Sequence, residues 1–141
     1  MRFIDASVFV HAFIKPRREL KPHEERIKRN AKQIVKRIDA GEEIAISTVH
    51  LSEVANILED YMPLKSALEI VASLISKPGI MLLNVTGKDC IKALLTAQTN
   101  SIGFSDAIAC LLMSERKINE IYSFDRDFDK IKGIKRVSDQ A

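Results

Sequence analysis

The chain opens with RFIDASVFVHAFI, residues 2–14, and this stretch decides the fold class. Arg2 to Asp5 predicts a short central strand that ends in an acid, and Ser7 to Ile14 predicts an apolar helical turn or two. Parallel strands are joined by a crossover, and the crossover is usually a helix. A strand that runs directly into a helix is therefore typical of the first half of a β-α-β unit.

The rest of the chain repeats this alternation. The apolar run at 80–85 predicts a strand buried on both faces. Strands that alternate with helices favour an α/β protein with a mostly parallel sheet of about five strands and helices on both faces. The further predicted strands are 43–46, 80–85, 120–124 and 133–137, and the further predicted helices are 23–40, 48–60, 63–77, 88–99 and 106–115.

Length and composition favour one ordinary domain. The chain has 141 residues, of which 46% are hydrophobic and 29% charged, so we expect a single domain spanning 1–141. It contains no apolar run long enough to cross a bilayer, and its start lacks the features of a signal peptide, which predicts a cytoplasmic protein with no membrane partner. Cys90 and Cys110 lie in helical apolar patterns, which favours small core residues over a disulfide or a metal site.

Charge is distributed unevenly along the chain. Residues 15–37 hold ten Lys/Arg against three Asp/Glu, a local charge of +7, whereas the whole chain carries only +3. A polyanion would suit the basic segment, while the acidic remainder could gather cations. The alternative is that these residues form only a solvated helix face.

Two acids lie where open α/β sheets bind ligands, outside the carboxyl ends of the strands. Asp5 ends the first predicted strand and Asp125 follows the fourth, so the two share one crevice if those strands are neighbours. The alternatives are that Asp5 caps the following helix, and that Asp125 belongs to a solvated turn. For Asp127 and Asp129 the solvated turn is favoured.

Two further acids are ambiguous by pattern. Asp106 opens an apolar helix, where it could hold a ligand or simply complement the helix dipole. Glu53 lies away from the apolar stripe of its helix, which predicts an exposed acid. Zinc spacings, a phosphate-binding glycine loop and a Gly-x-Ser-x-Gly turn are all absent from the sequence, so a metal would be held by carboxylates alone, which suits Mg²⁺ or Mn²⁺.

Four motifs, in this order, resemble the acidic motifs of PIN-domain ribonucleases, particularly the VapC-type toxins. The resemblance covers essentially the whole chain, and each motif has the appropriate strand or helix context. The motifs are Ile4-Asp-Ala-Ser-Val8, Ser47-Thr-Val-His-Leu-Ser-Glu-Val54, Phe104-Ser-Asp-Ala-Ile-Ala109 and Ser123-Phe-Asp-Arg-Asp-Phe128.

The resemblance implies a three-layer α/β/α sandwich, Mg²⁺- or Mn²⁺-dependent cleavage of RNA, homodimerisation and an antitoxin whose segment lies in the active groove. It implies that Asp5, Asp106 and Asp125 are metal ligands, that Glu53 orients the attacking water or a second metal, and that Asp127 is an additional ligand. The hydroxyls of Ser7 and Ser123 match positions that support the acids.

The basic segment is longer than in many compact toxins, and it supplies candidate phosphate contacts at Arg17, Arg18, Arg26, Lys28 and Arg29. Two other functions fit parts of the pattern. A PIN-like binding module without catalysis would have the same fold. A phosphatase of the haloacid dehalogenase kind also begins with a strand-end Asp, but it needs a second Asp two residues later, where this chain has Ser7.

Overall fold

The computed structural model describes residues 1–139, and within them five strands alternate with six α-helices and one short 3₁₀ helix. Residues 140 and 141, the end of the expected domain, lie outside this range. The strands are Arg2–Ile4 (β1), Ile44–Ser47 (β2), Ile80–Leu83 (β3), Glu120–Tyr122 (β4) and Lys135–Val137 (β5). The helices are Ala6–Phe13 (α1), Pro22–Asp39 (α2), Thr48–Tyr61 (α3), Leu64–Ser76 (α4), Gly87–Asn100 (α5) and Phe104–Arg116 (α6), with the 3₁₀ helix at Arg126–Lys130.

All five strands form one parallel sheet in the order β3-β2-β1-β4-β5. The chain starts at the centre, builds outward through β2 and β3, and then returns to the other side of β1. β1 and β4 are therefore neighbours at the point where the strand order reverses. This arrangement confirms the predicted α/β class and the adjacency on which the shared crevice of Asp5 and Asp125 depended.

Side chains alternate between the two faces of the sheet and create two cores. Ile4, Ile46 and Tyr122 pack beneath α1 to α4, whereas Phe3 and Ile121 pack beneath α5, α6 and the 3₁₀ helix. All five are buried. The helices thus cover both faces, and the predicted three-layer sandwich is confirmed.

The prediction that residues 80–85 form a strand buried on both faces is wrong. β3 ends at Leu83 and lies at the edge of the sheet, where Met81 and Leu82 are each 39% exposed. A uniformly apolar run indicates burial only if both neighbouring strands are present, and β3 has a partner on one side alone. Its apolar side chains therefore remain available to another surface.

The helices that carry Glu53 and Asp106 begin directly after small residues, Ser47 and Gly103. Ser47 caps α3 by accepting a hydrogen bond from the backbone N–H of His50. Gly103 precedes α6, which begins two residues earlier than predicted and places Asp106 in its first turn. Cys110 is buried and forms no disulfide, as expected. None of the helices in residues 1–139 is both long and apolar enough to cross a membrane.

Candidate active site

The four predicted acids line one open pocket. Its volume is about 350 Å³, and it lies beyond the carboxyl ends of β1 and β4. Asp5 follows β1, Asp125 follows β4, and Glu53 and Asp106 lie near the starts of α3 and α6. The polar residues of the lining are Asp5, Ser7, His11, Glu53, Ser105, Asp106 and Asp125.

Asp5 is held by two hydroxyl groups on a single oxygen. Ser7 Oγ and Ser123 Oγ each donate to Asp5 Oδ2 at 2.8 Å. The same hydroxyls accept hydrogen bonds from the backbone N–H groups of Phe124 and Asp125, at 3.1 and 3.0 Å. The two serines thus tie β1 to the loop after β4 and leave Asp5 Oδ1 without a hydrogen bond from residues 1–139.

Asp106, Asp125 and Asp127 form the tightest acidic group. Each offers an oxygen atom, and these three oxygens lie within 4.8 Å of one another. Asp125 caps the 3₁₀ helix, with its Oδ1 accepting from the backbone N–H of Asp127 at 2.9 Å, which fixes the spacing of the two side chains. Asp127 also forms an ion pair with Lys130 at 3.1 Å. Asp5, although in the same pocket, is not part of this group.

Crowding has a large effect on Asp106. Burial raises its pKa to about 7, with contributions from the negative charges of Asp5, Asp125, Asp127 and Glu53. A carboxylate surrounded by others takes up a proton unless a cation compensates the charge. The donor set consists of oxygen atoms and is short of positive charge, which fits a hard divalent cation.

Glu53 points toward the acidic pocket, so its pattern-based prediction as an exposed acid is wrong. Its Oε2 accepts a hydrogen bond from Ser105 Oγ at 3.2 Å. Burial raises the pKa of Glu53, the Ser105 hydroxyl lowers it, and the charge of Asp5 raises it. The pattern failed because α6 approaches this side of α3, a contact that helical periodicity does not report.

The five predicted phosphate contacts divide into two sets. Arg18 is paired with Glu24, with Nη1 to Oε1 at 2.8 Å, and Lys28 Nζ donates to the backbone carbonyls of His11 and Ile14 at 3.0 and 2.7 Å. A phosphate would have to compete with these partners. The other three, which are exposed and form no ion pair within residues 1–139, are Arg17, Arg26 and Arg29.

Two residues of the pocket were not identified from the sequence. Ser105 lies inside the third motif, next to Asp106. Its hydroxyl group was the only feature of the sequence that could have indicated a place in the pocket. His11 lies on α1, one turn after Ser7, where it packs edge-to-face against Phe124 with ring centroids 5.2 Å apart. Helical spacing from Ser7 would have placed it on the pocket side.

Comparison with known families matches residues 2–134 to the PIN domain. No curated protein sequence is significantly similar to the chain. Among solved structures, VapC20 of Mycobacterium tuberculosis, described as a sarcin-ricin loop cleaving toxin, is 19% identical with a TM-score of 0.68, over 92% of this chain and 93% of its own.

Two other solved structures share the fold. A toxin–antitoxin complex from Klebsiella pneumoniae is 16% identical with a TM-score of 0.64, over 95% of both chains. VapBC2 of Rickettsia felis, bound to a DNA fragment from its promoter, is 11% identical with a TM-score of 0.64, over 96% of both chains. At these identities the likeness establishes the fold.

Proposed function

The chain belongs to the PIN-domain family, and from that premise we propose that it is a divalent-metal-dependent endoribonuclease acting as the toxin of a toxin–antitoxin pair. One observation carries the proposal. Carboxylates from four distant parts of the chain converge on one pocket, where their mutual repulsion and burial raise the pKa of Asp106 to about 7. A structural role would not require so unfavourable a cluster.

We assign the metal to the Asp106, Asp125 and Asp127 group, with Asp5 contributing through its free Oδ1. A bound Mg²⁺ or Mn²⁺ would neutralise the cluster and act as a Lewis acid toward the phosphate. Ser7 and Ser123 orient Asp5, because both donate to its other oxygen. Asp125 is oriented in turn by the backbone of the 3₁₀ helix.

Glu53 is the proposed general base. Ser105 occupies its Oε2, which leaves Oε1 to accept a proton from the water that attacks the scissile phosphorus. The attack forms a new phosphorus–oxygen bond and breaks one ester bond of the RNA backbone, and the ribose oxygen that leaves takes a proton from solvent water. A raised pKa makes Glu53 a better base, since proton transfer is most effective when the pKa lies near the working pH.

The exposed Arg17, Arg26 and Arg29 are the proposed phosphate contacts of the basic segment, and we place the protein in the cytoplasm, with its RNA substrate. An antitoxin partner is supported by the shared fold, since two of the solved structures are toxin–antitoxin assemblies. We propose that an antitoxin segment occupies the acidic groove and so prevents RNA from reaching it.

A homodimer is supported by exposed apolar side chains near β3. This edge strand is flanked along the chain by α4 and α5, and all three elements carry exposed apolar side chains, which can serve as interaction sites. On α4 the exposed residues follow a 4-residue spacing at Leu64 and Leu68. The full exposed set is Leu64, Leu68, Ile75, Met81, Leu82, Ile91, Leu94 and Leu95, which we name the β3-edge surface.

The proposed activity is tested by incubating the protein with structured and unstructured RNA in the presence of Mn²⁺ or Mg²⁺. We expect cleavage that EDTA abolishes and that Asp5→Asn and Asp106→Asn reduce by at least about 100-fold, the scale expected when a group that stabilises the transition state is removed. Asp60→Asn is the matched control, because Asp60 is an exposed acid outside the pocket.

The outcomes separate the alternatives. Cleavage that persists in EDTA and in Asp5→Asn would indicate a contaminating nuclease. RNA binding without any cleavage by the wild-type protein would favour a binding module, and release of phosphate from small esters would favour a phosphatase. In the structure the phosphatase is not favoured, since Ser7 occupies the position of its second acid and donates to Asp5.

A further inference from the structure

A second cavity adjoins the acidic pocket. Its volume is about 360 Å³, within the ~300–1,000 Å³ range of small-ligand sites, and it lies between α1, the connector of residues 14–21 and the first turns of α2. It shares Val10 and His11 with the acidic pocket, so the two cavities are adjacent. Its apolar lining consists of Val10, Ile14, Pro16, Leu20 and Ile27.

Polar contacts hold the walls of this cavity in place. Lys28 bridges α2 to the end of α1 through the carbonyls of His11 and Ile14. Glu24 accepts from Arg18 and from the backbone N–H of Lys21 at 3.0 Å, which ties the connector to α2. The cavity is therefore already formed without a ligand, and it has cationic groups, Arg18 and Lys28, in its lining.

His11 forms the junction between the two cavities. Its ring packs against Phe124, and neither ring nitrogen has a hydrogen-bond partner within residues 1–139. Burial lowers the pKa of His11, and the nearby charge of Lys28 lowers it further. A neutral imidazole offers one N–H donor and one acceptor, a combination that matches the edge of a nucleobase.

We propose that this second cavity is a nucleobase subsite, which takes the unstacked base of a nucleotide beside the scissile phosphate in single-stranded RNA. RNA loops and single strands are recognised through bases that turn outward and pack on histidine, aromatic or arginine side chains. An apolar protein side chain would fill the same walls but would leave the nitrogens of the His11 imidazole without a partner. The inference rests on the proposed ribonuclease function.

The first test is the preference for bases around the cut. A randomised RNA pool is cleaved, and the ends of the products are sequenced. We expect the wild-type protein to prefer one or two bases at a nucleotide flanking the cut, and Ile27→Phe, which fills the cavity, to lose that preference. Val35→Phe is the matched control, because Val35 lies on the same helix and lines a different cavity.

The second test removes the base itself. In a single-site RNA, an abasic nucleotide at the preferred position should raise the KM of the wild-type protein about tenfold, the scale of one base–aromatic stacking contact. In Ile27→Phe the same removal should change KM by less than about twofold. Leu20→Phe provides a second filling variant in the connector, and circular dichroism melting checks that each variant folds.

The subsite and the nuclease function can fail separately. Asp5→Asn protein is mixed with RNA that carries 2-aminopurine at the flanking position. If this protein quenches the 2-aminopurine fluorescence and the added substitution Ile27→Phe abolishes the quenching, the subsite is supported even if no protein cleaves. Cleavage by the wild-type protein with equal use of all four bases, or an equal abasic effect in Ile27→Phe and wild type, overturns the subsite and leaves the nuclease function intact.

Discussion

The ionised form of Asp106 is unfavourable in the folded protein. Its pKa is 3.8 in the absence of perturbation and about 7 in the folded protein, where it is half-buried near four other acids. Between these pH values the unfolded chain gives up the proton more readily than the folded protein does. Without metal, the free energy of unfolding contributed by this group therefore falls as pH rises from about 4 to about 7, and is constant above that.

We predict that Asp106→Asn raises the melting temperature of the metal-free protein at pH 8 by roughly 3–8 °C, because the amide removes the unfavourable charge. At pH 4 most of the gain should disappear, since the acid is then protonated in the folded protein and only partly ionised in the unfolded chain. Differential scanning calorimetry in EDTA at both pH values measures this. An equal gain at pH 4 and pH 8 would assign it to packing, and Asp60→Asn should change neither value.

Ser105 acts on a single atom of Glu53. Its hydrogen bond lowers the pKa of Glu53, against the larger effect of burial. We predict that Ser105→Ala moves the acidic limb of the pH–rate profile to higher pH, because Glu53 then retains its proton to a higher pH. The profile of kcat/KM against pH measures the shift, and Ser52→Ala, an exposed serine on α3, is the control. An unmoved limb would exclude Glu53 as the general base.

At the level of elements, the start of α3 depends on one buried pair. Ser47 caps the helix and also hydrogen-bonds to Nδ1 of His50. Both residues are fully buried, and His50 packs edge-to-face on Phe3 with ring centroids 5.1 Å apart. Glu53 follows one turn later, so this pair fixes the helix that carries the proposed general base.

We predict that Ser47→Ala lowers the free energy of unfolding by about 2–3 kcal/mol, since it removes a cap and leaves Nδ1 of His50, in addition to its buried Nε2, without a partner. Thr86→Ala is the matched control. Thr86 also caps a helix, α5, but it is exposed, so its loss should cost only about 1 kcal/mol. Urea denaturation measures the free energy of unfolding of both variants. Equal losses of this free energy would show that the His50 contact contributes nothing.

Elements were predictable where local chemistry determines them. Strand β1 and the helix that follows it, for example, are predicted by the apolar pattern of residues 2–14. The burial of β3 was not predictable, because Met81 and Leu82 are exposed only as a consequence of strand order. Strand order depends on how the chain returns from α6 to β4, which no local pattern contains.

For the whole molecule, opposite charges are concentrated in different places, the acids in one pocket and the Lys/Arg residues along 15–37. We predict that alanine at Arg17, Arg26 and Arg29 together weakens RNA binding and reduces the slope of log K against log[salt] by about 2, at about 0.7 per phosphate contact on single strands. Fluorescence anisotropy with Asp5→Asn protein measures this.

The control for that prediction is a triple alanine variant at Lys65, Lys88 and Lys92, which are exposed and lie outside the basic segment. An equal change in slope for the two triple variants would mean that net charge alone, without a located contact surface, governs binding.

Self-association is also a property of the whole molecule. Ile91 and Leu95 are 67% and 61% exposed and lie one turn apart on α5, within the β3-edge surface. We predict that lysine at both positions converts a homodimer to a monomer, since each charge would be buried without a partner. Light scattering after gel filtration measures the mass, with Thr99→Lys on the same helix as the control. A wild-type monomer at all concentrations would contradict the proposal.

The site as a whole was less predictable than its parts. Asp5 and Asp125 could be placed from strand ends, but Glu53 was predicted by pattern to be exposed, and only the family resemblance brought it to the pocket. Asp127 was favoured as a turn residue by pattern, yet it lies within the tightest acidic group. Lys28 looked like a phosphate contact, but it is held by the carbonyls of α1. In each case the deciding neighbour is distant in the sequence.

The bond from Ser123 to Asp5 spans 118 positions of the sequence, and it makes the order of synthesis relevant. A ribosome that has translated this chain as far as α5 has made Asp5 and Glu53. It has not yet made Asp106, Asp125, β4 or β5. Such a nascent polypeptide lacks the Asp106, Asp125 and Asp127 group that we propose as the metal site. The proposed nuclease activity must therefore await synthesis of nearly the whole chain, a delay that follows from the order of the elements along the sequence.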